Sequence, residues 1–245
     1  MSARRTRLVL LPGLLNDEEL WRRQIESLAD VADSIVVDLV GPETVAEMAE
    51  RVLAASETPF ALAGLSMGGY VAFEVMRRAP ARVLRLALLD TSARPDTPEQ
   101  TARRRGLMEL AEQGRFRGVT PRLLPLFLHP DHLRDKAIAG TVMAMALRVG
   151  RAGFLSQQRA IMRRPDSRPE LGRIRCPTLV MGGREDAVTP PPVLEEIAAG
   201  IPAARLVLLE RCGHLAPLEQ PALVTRELRR WLTEGECRGP AGSHD

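Results

Sequence analysis

Short apolar runs alternate with longer amphipathic segments along most of the chain. Six continuous runs have the length of buried strands, and they cover residues 8–11, 35–37, 60–63, 84–89, 178–181 and 206–209. Helical spacing follows most of these runs, at residues 18–28, 45–55, 69–78, 193–199 and 222–232. Continuous apolar strands separated by helices are typical of a parallel sheet covered on both faces. The pattern therefore predicts a doubly wound, mostly parallel α/β sheet, with ligands bound at the carboxyl ends of its strands.

The segment between the fourth and fifth runs has a different pattern. Helical spacing appears at residues 99–113, 121–128, 131–149 and 152–163, broken by Gly and Pro, with no convincing strand. We expect a helical lid inserted over the carboxyl edge of the sheet. The predicted division is residues 1–91 and 174–234 for the α/β core, 92–173 for the lid, and 235–245 for a flexible tail.

Composition limits the classes of binding partner that we expect for this chain. The 245 residues fit one α/β domain with a lid, and the net charge of +3 raises the question of nucleic-acid binding. Acidic residues are interspersed with the basic ones, Lys136 is the only lysine, and aromatic residues are 3%, so we expect no nucleic-acid partner. The three cysteines are odd in number and form no CxxC pair, so we expect no disulfide framework and no zinc site. No apolar run approaches a membrane span, so the expectation is a cytoplasmic protein with no membrane partner. Its oligomeric state stays open, with a homodimer as one option.

A serine turn follows the third apolar run. Gly64-Leu65-Ser66-Met67-Gly68 has the G-x-S-x-G spacing, with a strand before it and a helix after it. Side chains at the two glycines would collide with neighbouring backbone in so tight a turn, and Gly69 permits close packing of helix on strand. Ser66 is the candidate nucleophile, and the amide of Met67 is a candidate oxyanion donor. The alternative is a glycine-rich turn that only caps a helix.

A serine nucleophile requires a base, and the base requires an orienting carboxylate. Of the four histidines, only His214 follows a predicted strand, whereas His129 and His132 lie in the lid and His244 in the tail. We expect His129 and His132 to lie on the surface or pack within the lid. Asp186 follows the fifth run and is the favoured acid. Asp90, which follows the fourth run, is the serious alternative, and Glu185 is a weaker one.

Four motifs together resemble the α/β-hydrolase fold superfamily, close to its bacterial esterase and lactonase branch. They are Leu10-Leu11-Pro12-Gly13-Leu14, Gly64-Leu65-Ser66-Met67-Gly68-Gly69, Gly182-Gly183-Arg184-Glu185-Asp186 and Gly213-His214. The resemblance implies a second oxyanion donor, the amide of Leu14. Pro12 replaces a histidine usual in the family, which leaves the backbone donor but changes how its loop is supported. The family's Gly-x-Gly-x-Ser loop is absent after Asp38, and the N-terminal hairpin of many members is expected to be missing.

These features predict a serine hydrolase that cleaves carboxylic esters of small or medium apolar acyl groups, with no cofactor or metal. Lid residues expected to line an acyl pocket are Leu126, Phe127, Met143, Met145 and Phe154, although each fits ordinary lid packing as well. Enol-lactonases, carbon–carbon bond hydrolases and perhydrolases of the family use the same serine, aspartate and histidine side chains, so these activities are alternatives. A ligand-binding receptor without catalysis is an alternative of a different class.

Overall fold

The predicted doubly wound parallel sheet is confirmed. The computed structural model describes residues 5–202 and 204–234. The predicted tail, with Cys237 and His244, lies outside these residues. Six strands form one sheet in the order β2-β1-β3-β4-β5-β6, and every pair is parallel. Their bounds are Thr6–Leu11 (β1), Ala32–Val36 (β2), Phe60–Leu65 (β3), Val83–Leu89 (β4), Thr178–Gly183 (β5) and Arg205–Leu209 (β6).

The helices cover both faces of this sheet. Those of the core are Arg22–Leu28 (α1), Val45–Ala54 (α2), Met67–Arg78 (α3), Pro191–Gly200 (α6), Ala216–Glu219 (α7) and Pro221–Thr233 (α8). Between β4 and β5 lie Pro98–Leu110 (α4) and Lys136–Met162 (α5). Short 3₁₀ turns occupy Glu18–Trp21, Pro80–Arg82, Leu124–Leu126, Pro130–His132 and Arg168–Arg173, and a π turn follows α4 at Ala111–Arg115.

Side-chain alternation along the strands separates two apolar cores. Leu8 and Leu10 of β1 belong to the core shared with α1, α8 and the lid, whereas Val9 and Leu11 belong to the core under α2, α3 and α6. Successive side chains of a strand point to opposite faces, so one apolar run supplies both cores. This double burial explains why the six runs are continuous rather than alternating.

Strand order places a crevice at one end of β1. The chain passes from β1 outward to β2 and then crosses back to β3 on the other side of β1. Such a reversal of strand order opens a crevice outside the carboxyl ends of the strands, where α/β proteins bind ligands. The loop that follows β1 and the turn that follows β3 therefore meet at this point.

The segment between β4 and β5 is helical, as predicted, but two of its helices begin or end elsewhere. We predicted helices over 131–149 and 152–163; the structure has one stretch, α5, which leaves helical geometry at Gly150 (φ 69°, ψ −177°). It begins at Lys136 because the Asp135 carboxylate caps the amides of Ala137 and Ile138. The predicted helix over 121–128 is wrong, because only Leu124–Leu126 forms a 3₁₀ turn, with Pro125 near its start.

The lid helix α5 is the one helix in the described residues that is long and apolar enough to cross a membrane. That test takes account of length and composition only. The break at Gly150 divides α5 into two parts, each shorter than the roughly 20 residues that a membrane span requires. In the second part, Ser156, Gln157 and Gln158 are buried against the rest of the protein.

Candidate active site

Ser66 occupies a strained turn between β3 and α3. Its backbone has φ 52° and ψ −112°, a conformation that few non-glycine residues adopt. The turn is held because the Ser66 amide donates to the Leu89 carbonyl (2.9 Å) and the Ser66 carbonyl accepts from Thr91 Oγ1 (2.7 Å). These hydrogen bonds attach the turn to the end of β4. The Ser66 side chain is thereby presented at the carboxyl edge of the sheet.

Close backbone contacts require the two glycines of the turn. A Cβ at Gly64 would lie 2.4 Å from the Gly68 carbonyl oxygen, and a Cβ at Gly68 would lie 2.4 Å from the Leu11 carbonyl oxygen in β1. Neither backbone oxygen can move aside without breaking the packing of α3 on the sheet. The steric reason for G-x-S-x-G that the sequence predicts is therefore present in the structure.

The structure brings Ser66, His214 and Asp186 into one hydrogen-bonded chain. Ser66 Oγ lies 3.0 Å from His214 Nε2, and His214 Nδ1 lies 2.7 Å from Asp186 Oδ2. A carboxylate at Nδ1 fixes the proton on that nitrogen, which leaves Nε2 free to accept the Ser66 hydroxyl proton. All three side chains are nearly inaccessible, with Ser66 9% and His214 4% exposed. The arrangement can transfer a proton from the hydroxyl to the imidazole in a site shielded from bulk water.

Asp186 is held as an ionised acceptor. Its Oδ1 accepts from the amides of Val188 (2.7 Å) and Thr189 (3.0 Å), and its Oδ2 accepts from Thr189 Oγ1 (2.5 Å). Burial alone would raise the pKa of Asp186. The attraction of His214 and these hydrogen bonds outweigh burial and hold the pKa below its ordinary value. Asp186 therefore carries the negative charge that can orient and stabilise an imidazolium.

Asp90, the alternative acid, has a different environment. Its Oδ1 accepts the Gly183 amide (2.9 Å), its Oδ2 has no hydrogen-bond partner in the described residues, and it makes no hydrogen bond to His214. Complete burial, followed by the neighbouring charge of Asp186, raises the pKa of Asp90 well above its ordinary value. A carboxyl group with a raised pKa and no contact with the imidazole cannot play the electrostatic part of Asp186.

The two candidate oxyanion amides flank the serine. Met67 is the first residue of α3, so its N–H has no partner inside the helix. Leu14 lies in the loop after β1, where a Cβ on the preceding Gly13 would lie 3.3 Å from Ser66 Cβ. The loop is supported from the lid, since Gln157 Oε1 accepts the Leu15 amide (3.0 Å). Sequence reasoning missed Gln157, because only the folded lid places it against this loop.

The predicted acyl-pocket residues divide between the site and the lid interior. Phe127 lies beside His214, with ring centroids 6.2 Å apart, and its carbonyl accepts the His214 amide (2.8 Å). Phe154 packs on Phe116, with ring centroids 5.4 Å apart. Met143 packs against the same apolar core as Leu14, and Met145 is fully buried in that core. Leu126 is half-buried and does not join this core.

Glu219 is a buried carboxylate at the site that sequence reasoning missed. Its side chain is 0% exposed and pairs with His132 Nδ1 (2.9 Å). The expectation that His132 packs within the lid did not include this partner. An acid five residues after His214 is indistinguishable in sequence from a solvent-exposed carboxylate, because its burial depends on lid residues far away in the chain. Across the described ranges, no three His, Cys, Asp or Glu side chains are grouped to hold a metal ion.

Comparison with known proteins identifies the family. The sequence model of the alpha/beta hydrolase fold family matches residues 6–221. The chain belongs to the α/β-hydrolase fold family. It is 30% identical over 205 residues to a pimeloyl-[acyl-carrier protein] methyl ester esterase of Neisseria meningitidis, a match that covers 82% of this chain and 65% of that protein.

Solved structures similar to this chain superpose on nearly its whole length. A thermophilic esterase from Thermogutta terrifontis superposes with a TM-score of 0.85 at 31% identity, covering 94% of this chain and 90% of that one. The enol-lactonase from Burkholderia xenovorans superposes with a TM-score of 0.85 at 25% identity, covering 95% and 93%. These similarities confirm the predicted enzyme class, a hydrolase that acts on ester bonds.

Proposed function

We propose that this α/β-hydrolase cleaves carboxylic esters of small or medium apolar acyl groups through an acyl-enzyme on Ser66. The observation that carries the proposal is the chain of hydrogen bonds from Ser66 Oγ to His214 Nε2 (3.0 Å) and from His214 Nδ1 to Asp186 Oδ2 (2.7 Å). A hydroxyl is a weak nucleophile until a base accepts its proton. His214 is that base in the proposal, and Asp186 stabilises the imidazolium that forms.

The reaction has two halves. Ser66 Oγ attacks the acyl carbon while His214 takes the hydroxyl proton, and the amides of Leu14 and Met67 donate to the developing oxyanion. His214 then protonates the leaving alcohol, which departs and leaves an ester on Ser66. Water, deprotonated by His214, then attacks the acyl carbon. The bond to Ser66 Oγ breaks, the carboxylic acid is released, and His214 returns the proton to Ser66 Oγ. Loss of one oxyanion donor typically costs about 2.7–4 kcal/mol of barrier.

The apolar surroundings of the site support an apolar acyl group. Phe127 beside His214 and the core that includes Leu14 and Met143 offer hydrocarbon contact. Burial of each additional methylene of an acyl chain stabilises the complex by about 0.8 kcal/mol until the space is full. We therefore expect the specificity constant to rise with acyl length and then to fall.

Hydrolysis of a series of p-nitrophenyl esters, from acetate through octanoate to palmitate, tests this proposal. Its predicted result is turnover with a maximum in kcat/KM at a short or medium chain and little hydrolysis of palmitate. Turnover restricted to palmitate would contradict the proposed substrate class. An enol-lactone and a β-diketone belong in the same screen, because the Burkholderia xenovorans neighbour is an enol-lactonase. Faster turnover of the enol-lactone would favour that second activity.

A fluorophosphonate probe separates an enzyme from a binding protein built on the same fold. The probe reacts with an activated serine, so the proposal predicts one adduct on Ser66 in intact-protein mass spectra. A His214→Gln variant treated with the same probe is the control. We expect an adduct on the wild-type protein and none on the variant. An unlabelled wild-type protein that still binds esters would indicate a receptor.

A further inference from the structure

Glu219 accepts four hydrogen bonds inside the protein. Oε1 accepts the amides of Gly213 (3.0 Å) and Leu215 (3.2 Å), the residues on either side of His214. Oε2 accepts the His129 amide (2.7 Å) and pairs with His132 Nδ1 (2.9 Å). The side chain is 0% exposed, so these donors replace all of its hydration. An ionised carboxylate has the acceptor capacity that four donors require.

The two oxygens of Glu219 serve different parts of the molecule. Oε1 holds the loop that carries His214, and Oε2 holds the lid segment that begins at Phe127. Two further contacts join the same loop and segment: the His214 amide donates to the Phe127 carbonyl (2.8 Å), and Arg211 Nη2 pairs with Asp131 (2.6 Å). Glu219 is the buried member of this set, and the Arg211 pair is largely exposed. The position of the base is therefore tied to the position of the lid.

We propose that Glu219 is a positioning residue that couples the lid segment 127–132 to the orientation of His214. It touches no reacting atom; it fixes both amides that flank the base and connects them to the lid. The inference rests on the proposed serine-hydrolase function. Displacement of a catalytic group by about 1 Å costs on the order of 10²-fold in rate, so loosening this loop should lower kcat.

The Glu219→Gln variant removes one acceptor without changing size. A glutamine cannot accept from both pairs of donors, so the amides on one side face its NH₂ group. We expect kcat to fall by about 10- to 100-fold with little change in KM.

Glu227→Gln is the matched control. Glu227 of α8 is also nearly buried, with its side chain 8% exposed, and it pairs with Arg205 of β6 and Arg226 of α8, away from the site. Both variants should lose thermal stability, but only Glu219→Gln should lose kcat while its KM stays close to that of wild type. Equal kcat values in the two variants would overturn the positioning role and leave Glu219 a structural residue.

Two further measurements keep the proposal testable if Glu219→Gln does not fold or if the enzyme accepts none of the esters. His132→Leu removes one donor to Glu219, whereas His132→Asn retains an N–H at that place. We expect kcat to fall several-fold in the leucine variant and to recover in the asparagine variant; equal values would contradict the coupling.

The proton NMR resonance of His214 Nδ1–H reports the position of the His214 loop without any turnover. It should change in His132→Leu and persist in Glu227→Gln. An unchanged resonance in His132→Leu would overturn the proposal whether or not Ser66 is a nucleophile.

Discussion

At the scale of single residues, two carboxyl groups at the ends of neighbouring strands have pKa values shifted in opposite directions. Asp186 follows β5 and is held ionised by His214, Thr189 and backbone amides. Asp90 follows β4 and is buried with one oxygen unpartnered among the described residues, which raises its pKa. The difference comes from full burial beside the charge of Asp186 in the case of Asp90, and from the attraction of His214 and several hydrogen-bond donors in the case of Asp186. Of the two, Asp186 is the one in hydrogen-bond contact with the imidazole.

Replacing each acid by its amide separates their roles in activity. Asp186→Asn should lower kcat by about 10⁴-fold, because an amide at this place favours the wrong imidazole tautomer and leaves the imidazolium without a counter-charge. Asp90→Asn should retain kcat within about threefold, since its side chain contacts neither Ser66 nor His214. Steady-state hydrolysis of a p-nitrophenyl ester measures both. A larger loss in the Asp90 variant would reverse the assignment of the acid.

The raised pKa of Asp90 also predicts a pH-dependent stability. The folded state retains a proton that the unfolded chain releases above a pH of about 3.9. Wild-type stability therefore falls as pH rises from that value toward the pKa of Asp90 in the folded protein. Asparagine keeps an acceptor for the Gly183 amide and has no such proton, so Asp90→Asn should be more stable than wild type near neutral pH and lose this advantage near pH 4. Urea unfolding at the two pH values measures the difference, and an equal difference at both would contradict the burial argument.

At the scale of elements, close approach decides which glycines are required. Gly68 lies at the start of α3 against the Leu11 carbonyl of β1, whereas Gly140 lies inside α5, where an added Cβ would meet no atom within 4 Å. Both are helical glycines, so their intrinsic backbone cost is similar. Their surroundings predict opposite effects of the same substitution.

Gly68→Ala should destabilise the protein by more than about 3 kcal/mol, because the added methyl overlaps backbone that cannot move. Gly140→Ala should instead stabilise it by about 0.5–1 kcal/mol, since alanine loses less conformational entropy in a helix. Chemical unfolding of the two variants checks the signs. Destabilisation by Gly140→Ala would show that this part of α5 is packed more closely than the structure has it.

The sequence predicted the site better than it predicted the lid. Ser66, Asp186 and His214 each follow a continuous apolar run, and the carboxyl ends of parallel strands meet at one edge, so the chain pattern alone brought them together. Glu219 and Gln157 were out of reach, because each acts through contacts between lid and core that are far apart in the chain. The helix α5 begins at Lys136 rather than earlier because the Asp135 cap outweighs a broader apolar periodicity.

At the scale of the whole molecule, a buried cluster of one carboxylate and two arginines joins the two ends of the lid. Asp96 is 2% exposed and pairs with Arg104 of α4 (2.7 Å) and with Arg164 just after α5 (2.7 Å). The Arg164 guanidinium also lies 4.2 Å from the ring centroid of Tyr70 in α3. Asp96 thus joins α4 to the residues that follow α5, and Arg164 connects this cluster to the core helix α3.

Asp96→Asn should lower the free energy of unfolding by about 3 kcal/mol, because Arg164 is left as a buried charge without its partner. The matched control is Asp33→Asn, which breaks the exposed Arg7–Asp33 pair and should change stability by about 0.5 kcal/mol or less. Urea denaturation of both variants measures the difference. Equal effects would contradict the view that Asp96 fastens the lid.

Steady-state ester hydrolysis by the Ser66→Ala variant decides whether Ser66 performs the chemistry. The variant keeps the fold, because alanine fits the space of serine and the backbone of residue 66 keeps its hydrogen bonds to the Leu89 carbonyl and the Thr91 hydroxyl. With circular dichroism equal to that of wild type, the predicted result is a loss of about 10⁶-fold in kcat. Hydrolysis at the wild-type rate by a folded Ser66→Ala protein would contradict the account.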